Sequence, residues 1–430
     1  MRQPPSRPII IAADAEVTPY ESSNSRWRET RYQFCIGMLV VLAVTYNSLI
    51  AILGANGSAV NATTVMIVEA IILAASLLAI VQVNFQRDDL PSIILFFTFF
   101  IVTIYLSIIN EFFYPETLRN ISIISIFSML GLRASFSTVK FTIFTVCALV
   151  VIFLFIECYS TPLYVEIFQP AHYFEKTRGL EIPDWDKSGL FGNALGFKER
   201  FSFGLSDHRT ASIFLEQLSL ANFAAFLTVF LISLWQRLPI WQRIFYAGVI
   251  IAILLTNDTR TSLILAVLAP AGYFVYPRMP RFLNITVAPL LIIIAWIIED
   301  PNRPYADDFA GRLSLTVRTL KGMDLSAALG MNVLDASKFA DSGYTYFSYA
   351  ATLPGMVLLW IFVSLYIPQT TPAQKRYTYA SNLFIASSLV VAGTSIFTIK
   401  IAGLLWFLAG FMRSQKDQPA RPSDSDHSGR

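Results

Sequence analysis

Residues 90–109 read LPSIILFFTFFIVTIYLSII, twenty residues without a charged side chain. As an α-helix such a run rises about 1.5 Å per residue and so spans about 30 Å, the thickness of a bilayer's hydrocarbon core. Backbone polar groups cannot go unpaired in hydrocarbon, so the run reads as a helix and not as a strand. The same pattern recurs along the chain, at 33–53, 62–85, 119–132, 139–157, 208–234, 242–257, 260–277, 282–298, 345–367, 377–393 and 396–412. The expectation is an all-α, polytopic transmembrane bundle of about twelve helices. Composition agrees, because 55% hydrophobic and 14% charged residues among 430 are far from the averages of soluble domains.

The net charge of +3 is small and gathers at helix ends, which points away from a nucleic-acid partner. Alternate short connections carry Arg87, then Arg133 and Lys140, then Arg237 and Arg243, then Arg278 and Arg281, then Lys375 and Arg376. The opposite connections carry Arg119, Arg260 and Lys400. The excess of basic residues places the first set in the cytoplasm, together with an N-terminal tail, 1–32, and a C-terminal tail, 413–430. The N-terminal tail, with Pro4, Pro5 and Pro8 and with Arg26, Arg28 and Arg31 before the first apolar run, reads as disordered and not as a cleavable signal. Cys35, Cys147 and Cys158 have no metal-binding or redox spacing and read as packing residues.

This topology sends two long loops, 158–207 and 299–343, to the outer face. The first has ten aromatic residues, among them Tyr173, Trp185, Phe191 and Phe201, and reads as a small folded cap on the bundle. The second contains GRLSLTVRTLKG, in which Leu313, Val317 and Leu320 share one helical face, Arg318 and Lys321 another, and Gly322 closes the pattern. That arrangement predicts a short amphipathic helix at the membrane surface.

Arg209 in SDHRTASIFLEQLSLANF and Arg260 in TNDTRTSLI fall at predicted outward helix N-termini, where a cation opposes the helix dipole. A bound phosphate or pyrophosphate would compensate both. Pairing with Asp207 and Asp258, or snorkelling to lipid headgroups, is the plainer explanation. Glu216 lies seven residues after Arg209, so Arg209, Ser212 and Glu216 are expected on one helical face, with Glu216 two turns deeper. An ionisable group at that depth marks a functional site or a structural pair between helices, as does Glu69 in the second helix. His208 beside Arg209 is a candidate acid or base. His172 and His427 complete the histidines, and no metal-ligand set, nucleophile motif, phosphate-binding glycine loop or dinucleotide fingerprint is present.

GRLSLTVRTLKGMDLSAALGMN, followed by DSGYTYFSYAATLPGMVLLW, resembles the Wzy/O-antigen ligase superfamily of bacterial membrane glycosyltransferases. Arg312, Gly330, Asp341, Gly343, Tyr344 and Gly355 occupy places of its motifs, while Thr259, Arg260 and Arg209 match its arginine segments. The likeness runs from about residue 207 to 367. It implies transfer of a glycan from undecaprenyl pyrophosphate at the periplasmic face of the inner membrane, without metal, cofactor or nucleotide sugar. Arg209, Arg260 and Arg312 would bind pyrophosphate, and Asp341, Glu216 and His208, in that order, are candidates for the acid/base residue. The family's ligases carry histidine where this chain has Asp341, which favours a polymerase of exopolysaccharide, capsule or O-antigen repeat units. The implied partners are the lipid-linked oligosaccharides, the bilayer and a chain-length regulator or polysaccharide co-polymerase. A ligase acting on another acceptor, a transporter or flippase, and a non-catalytic scaffold are the rival readings; polar residues gathered at one face, with no internal repeat, weigh against a transporter.

Overall fold

A computed structural model describes residues 21–183, 186–194, 205–258, 260–300, 302, 309–339, 341–391 and 395–415. Among these the chain is helical throughout, with no strand. In order the helices are α1 (Glu21–Ala55), α2 (Ala62–Val81), α3 (Leu90–Ile109), α4 (Glu116–Leu132), α5 (Phe136–Tyr159), α6 (Thr161–Phe168), α7 (Pro170–Arg178), α8 (Gln217–Leu234), α9 (Ile240–Asn257), α10 (Arg260–Ala271), α11 (Leu283–Ile298), α12 (Phe309–Lys321), α13 (Leu325–Ala328), α14 (Gly343–Ala351), α15 (Leu353–Leu365), α16 (Pro372–Val391) and α17 (Ile399–Ser414). Every predicted apolar segment is helical over most of its length. Six described helices are long and apolar enough to cross a membrane, or seven if α14 and α15 count as one bent span. The rim of large side chains such as Ile71, Leu78, Phe97, Ile101, Ile108 and Phe155 is exposed, as expected of surfaces whose solvent is lipid.

Three helix boundaries depart from expectation. α1 begins at Glu21, inside the segment expected to be a disordered tail. Extending an existing helix avoids the cost of nucleation, and Arg31 closes over the Trp27 ring at 3.2 Å. Residues 1–20 and 416–430 of the expected tails lie outside the described residues. The 345–367 segment is broken, with α14 and α15 meeting at 117°. Pro354 has no N–H to donate and its ring disfavours helix before it. Thr352 turns the chain with φ 67°, and its hydroxyl accepts the Gly355 amide at 3.1 Å, starting α15 anew. The third departure, at 208–216, belongs to the site described below.

The closest packing in the bundle lies between α4 and α17. A Cβ on Gly131 would stand 2.0 Å from the Phe407 carbonyl oxygen, and one on Gly410 would stand 1.9 Å from that of Ser128. Small residues thus let two backbones touch where hydrocarbon gives no hydrophobic drive to pack. The helices run parallel, Phe127 facing Gly403 and Gly131 facing Gly410. Cys147 is buried in the core, whereas Cys35 is exposed and not the packing residue expected.

The two ends of the bundle differ in charge. At one end Arg133 makes a buried two-pronged pair with Asp89 at 2.8 and 2.9 Å, and Arg413 reaches the carbonyl oxygen of Asp88. There too Arg237 donates to Gln415, and Lys375 donates to the carbonyls of Pro277 and Met279. Both long connections fold against the other end. Tyr164, Phe168, Tyr173, Phe174 and Phe191 of the first are buried, making α6 and α7 the folded cap expected; Trp185 and Phe201 lie outside the described residues. In the second, Asn110 at the end of α3 donates to the Gly330 carbonyl at 2.8 Å. Gly330 has φ +86° and would drive a Cβ to 2.3 Å from Leu106, so this turn needs glycine on two counts.

Replacing Gly131 or Gly410 by alanine should separate α4 from α17 and cost about 1–3 kcal/mol of stability. Gly403→Ala, whose Cβ would meet only the Phe127 ring at 3.4 Å, serves as the mild control. Unfolding of the purified chain in detergent, followed by loss of helical circular dichroism, should rank the two close-contact variants well below that control.

Candidate functional site

At the end of the bundle opposite the basic one, residues 205–216 enter the protein without regular helix and are buried from Thr210 to Leu215. Buried irregular backbone is tolerated at such depth only where other groups take its hydrogen bonds. Glu157, fully buried at the end of α5, supplies them: its carboxylate accepts the Ala211 amide at 3.0 Å and the Ser212 amide at 2.7 Å. Asn257, the last residue of α9, donates to the carbonyls of Thr210 and Gln217. Tyr164 donates to the Ser212 carbonyl at 2.7 Å, and Ser48 donates to that of Ile213. Ser212 (φ 48°) and Leu215 (φ 61°) sit in the left-handed region, which breaks any helix through them.

This segment corrects the expected continuous helix over 208–234. α8 starts at Gln217 with Glu216 as its N-cap, so Arg209, Ser212 and Glu216 form no helical stripe and Glu216 lies at the helix mouth. Arg209 is corrected as well. Its Nε donates to the carbonyl of Asn257 at 3.1 Å, at the C-terminal end of α9, where the dipole favours a cation. The argument that Arg209 opposes a dipole and needs a bound anion therefore does not hold. Thr259 and the side chain of Arg260 lie outside the described residues. His208 is held by its Nε2, 3.3 Å from Glu157, and by the turn in which Ser206 donates to the His208 carbonyl.

Glu216 anchors a charged cluster that the sequence did not announce. Arg178, at the end of α7, approaches it at 3.1 Å, Lys400 at 3.6 Å, and Ser219 donates to it at 2.8 Å. Burial opposes ionisation of Glu216, yet Arg178 first and Lys400 second, with hydrogen bonds from Arg178 and Ser219, hold its carboxyl down at about 2. It is therefore a permanent anion and not a proton donor near neutrality. Nearby, Arg119 grips Glu69 with two bonds of 2.7 Å, to which Tyr46 adds a third at 3.4 Å. Glu69, without a recognisable motif, is thus one half of an ion pair between α2 and α4. Tyr114 donates to Glu116 at 3.0 Å and Tyr346 donates to the same carboxylate from α14. Arg119, Arg178, Lys400 and Glu157 carried no local pattern; only their recurrence as charges within apolar or aromatic segments marked them.

The second loop assembles the other half of the site. α12 is the amphipathic helix expected, with Leu313 and Val317 buried, while Arg318 and Lys321 on its far face pair with Glu299. Arg312, Thr316 and Thr319 follow one another at helical spacing on one face. Thr316 bonds to Ser342 at 2.7 Å, Ser342 to Thr345 at 2.8 Å, and Thr345 to Thr319 at 2.6 Å. This hydroxyl ladder pins α12 to the N-terminus of α14. One turn beyond Thr316 on α12, and one residue before Ser342, it brings Arg312 to 3.7 Å from Asp341. Both side chains are part-exposed, at 28% and 46%, at the end of the bundle away from the Arg133–Asp89 pair. Tyr344, one of the motif residues, buries its hydroxyl without a hydrogen-bond partner among the described residues.

Glu157→Gln exchanges an acceptor of two amides for a group that also presents N–H to them. It should cost about 1–3 kcal/mol and loosen the 205–216 segment. A cysteine introduced at Ser206, 9% exposed in the native chain, should then react with a membrane-impermeant maleimide markedly faster than in the Glu157 parent. Against known protein families, curated proteins and solved structures, the chain finds no match.

Proposed function

We propose that this chain is a Wzy-type membrane glycosyltransferase, polymerising undecaprenyl-pyrophosphate-linked repeat units into an exopolysaccharide, capsule or O-antigen chain at the periplasmic face of a bacterial inner membrane. The observation that carries this reading is the Arg312–Asp341 pair. Two residues twenty-nine positions apart, chosen from the motif resemblance for leaving group and base, stand 3.7 Å from each other. A twelve-crossing topology with both termini cytoplasmic is the finer reading of the bundle. In its favour, Arg133, Arg237, Lys375 and Arg413 gather at one end and both long connections fold at the other.

In the proposed reaction an acceptor sugar hydroxyl attacks the anomeric carbon of the carrier-linked chain. The carbon–oxygen bond to pyrophosphate breaks, the hydroxyl proton passes to Asp341, and undecaprenyl pyrophosphate leaves with the electron pair of that bond. Arg312 stabilises the charge gathering on the leaving oxygens, with Arg260 as the further cation proposed to hold the pyrophosphate. Fixed positive charge at a developing anion is worth most where water is scarce. Lewis-acid help is not required for this route, because the guanidinium supplies planar, two-pronged donors to phosphate. Glu216 and His208, the other acid/base candidates, are held by Arg178 and Lys400 and by Glu157 respectively, and Asp341, the first candidate from the motif resemblance, stays the proposed base.

Restoring a gene deletion with Arg312→Ala or Asp341→Asn should lower polymer formation about 10²- to 10³-fold. Single repeat units should accumulate on the carrier at the outer face, as read by electrophoresis and mass spectrometry of extracted lipid-linked glycans. Full-length polymer left on the carrier would indicate a ligase, and repeat units trapped inside would indicate a flippase. Normal polymer from both variants would remove the site.

A further inference from the structure

Between α12 and α14 the second long connection presents large apolar side chains at its surface. Leu325, Leu329, Met331 and Leu334 are all exposed, Leu325 at 76% and Leu334 at 67%, within ten residues that include α13. A connection bathed in water is not expected to expose so many in so short a stretch.

The segment is fastened low on the bundle. Tyr105 of α3 donates its hydroxyl to the Leu329 carbonyl at 3.1 Å, Asn110 donates to the Gly330 carbonyl at 2.8 Å, and the turn at Gly330 packs on Leu106. α3 is an uncharged helix of twenty residues. Its length of about 30 Å equals the thickness of the hydrocarbon core, so its last turn lies at the hydrocarbon boundary. Tyr105 stands four residues before the last residue of α3, about 6 Å below the end of the helix. A carbonyl bonded to that hydroxyl is held at the level where headgroups meet acyl chains, the place tyrosine favours. On the turns around Tyr105, Ile101, Ile104 and Ile108 are exposed, which is the lipid-facing side of α3. The apolar side chains of the connection extend that side. Its polar groups meanwhile close on one another: Asp324 accepts the Ala327 amide at 2.8 Å, and Asp335 pairs with Lys338 at 2.6 Å. Local closure of this kind leaves fewer groups that demand water.

We propose that residues 323–339, α13 with the 3-10 helix Val333–Phe339, form an interfacial anchor that lies in the headgroup boundary with Leu325, Leu329, Met331 and Leu334 among the acyl chains. Its partner is the lipid surface. The inference rests on α3 crossing the membrane and not on the glycosyltransferase reading. Asp341 follows two residues after the anchor, so the carboxylate beside Arg312 is carried at headgroup level. A ligand tethered to a membrane lipid meets it there without being lifted into water.

The test uses the full chain in phospholipid nanodiscs, with Cys35→Ala and Cys158→Ala and the buried Cys147 kept. Nitroxide labels are placed singly through Leu325→Cys, Met331→Cys and Leu334→Cys. Ile101→Cys on α3 gives the lipid reference, and Ser58→Cys in the exposed turn between α1 and α2 gives the aqueous one. Electron paramagnetic resonance reads the accessibility of each label to oxygen, which concentrates among acyl chains, and to a water-soluble nickel chelate. The oxygen-to-nickel ratio at positions 325, 331 and 334 should approach that at Ile101 and exceed that at Ser58 several-fold. Leu325→Asp combined with Leu334→Asp should return the Met331 label toward the aqueous ratio, because carboxylates resist insertion. In the same variant a label at Ile101 should keep its lipid ratio, which reports an intact bundle. Ratios at 325 and 334 equal to that at Ser58 would overturn the proposal, since the segment would then face water. Labels reached by neither reagent would overturn it as well, because a protein surface such as a second copy would then cover them. A Met331 label indifferent to the two aspartates would show that insertion is not what holds the segment, and would sink the proposal equally.

Discussion

The carboxylate of Glu157, fully buried at the end of α5, accepts the backbone amides of Ala211 and Ser212, and the geometry of this end of the bundle follows from that contact. Amide hydrogen bonds to an ionised acceptor are among the stronger ones, and here they replace the helical bonds that 208–216 lacks. With those amides anchored, the chain can dip among α1, α5 and α9 before α8 begins. The dip sets His208 beside the same carboxylate, lays Arg209 along the carbonyl of Asn257, and delivers Glu216 to the cap of α8, within reach of Arg178 and Lys400. One buried acid thereby fixes the path that positions His208, Arg209 and Glu216, three residues singled out from sequence.

A second anchoring follows the same logic with neutral groups. Thr316, Ser342, Thr345 and Thr319 exchange hydroxyl bonds between α12 and α14, and the break at Thr352 and Pro354 lets α14 lie across the bundle end, 117° from α15. Thr117 of α4 donates to the Ala350 carbonyl, tying the other end of α14 to the core. A part-exposed pair, Arg312 and Asp341, is thus carried on elements whose own polar groups are largely satisfied inside the protein. Positions held in this way would keep their geometry beside a charged ligand, as the proposed electrostatic catalysis requires.

Helix content and most helix limits were legible because apolar run length is a one-dimensional property: α3 spans 90–109 and α2 starts at 62, as expected from the runs alone. The amphipathic face of α12 was legible for the same reason, its period being local. What was not legible depended on partners distant in the chain. Ile213, Phe214 and Leu215 are as apolar as any helical residue, and only Glu157, more than fifty positions earlier, makes the irregular path affordable. Arg209 shows the consequence. Read as the start of a helix, it faced an unfavourable dipole; in the fold it faces the opposite end of a different helix. Pro354, in contrast, is local: a helix breaker visible in the sequence inside the apolar run 345–367.

Charge separation between the two ends gives the architecture its direction. At the end holding Asp89, cations meet carboxylates and helix-terminal carbonyls in contacts that tie α3, α4, α16 and α17 together: Arg133 is 2% exposed in its pair and Arg413 is 16%. At the other end several ion pairs have one side open, Arg119 at 42%, Arg178 at 40% and Asp341 at 46% among them, while His208–Glu157 and Lys400–Glu216 are closed. Closed pairs lower the energy of one arrangement and have little to offer a ligand. Open guanidinium groups backed by buried carboxylates retain both a fixed position and unspent donors, because Arg has five N–H groups and a carboxylate engages two of them. The parallel packing of α4 on α17 through Gly131 and Gly410 puts Arg119 and Lys400, near the starts of those helices, at this same end. The close glycine contact lies toward the Asp89 end, and the helices it joins carry Arg119 and Lys400 at the opposite end, so backbone proximity sets where those charges stand.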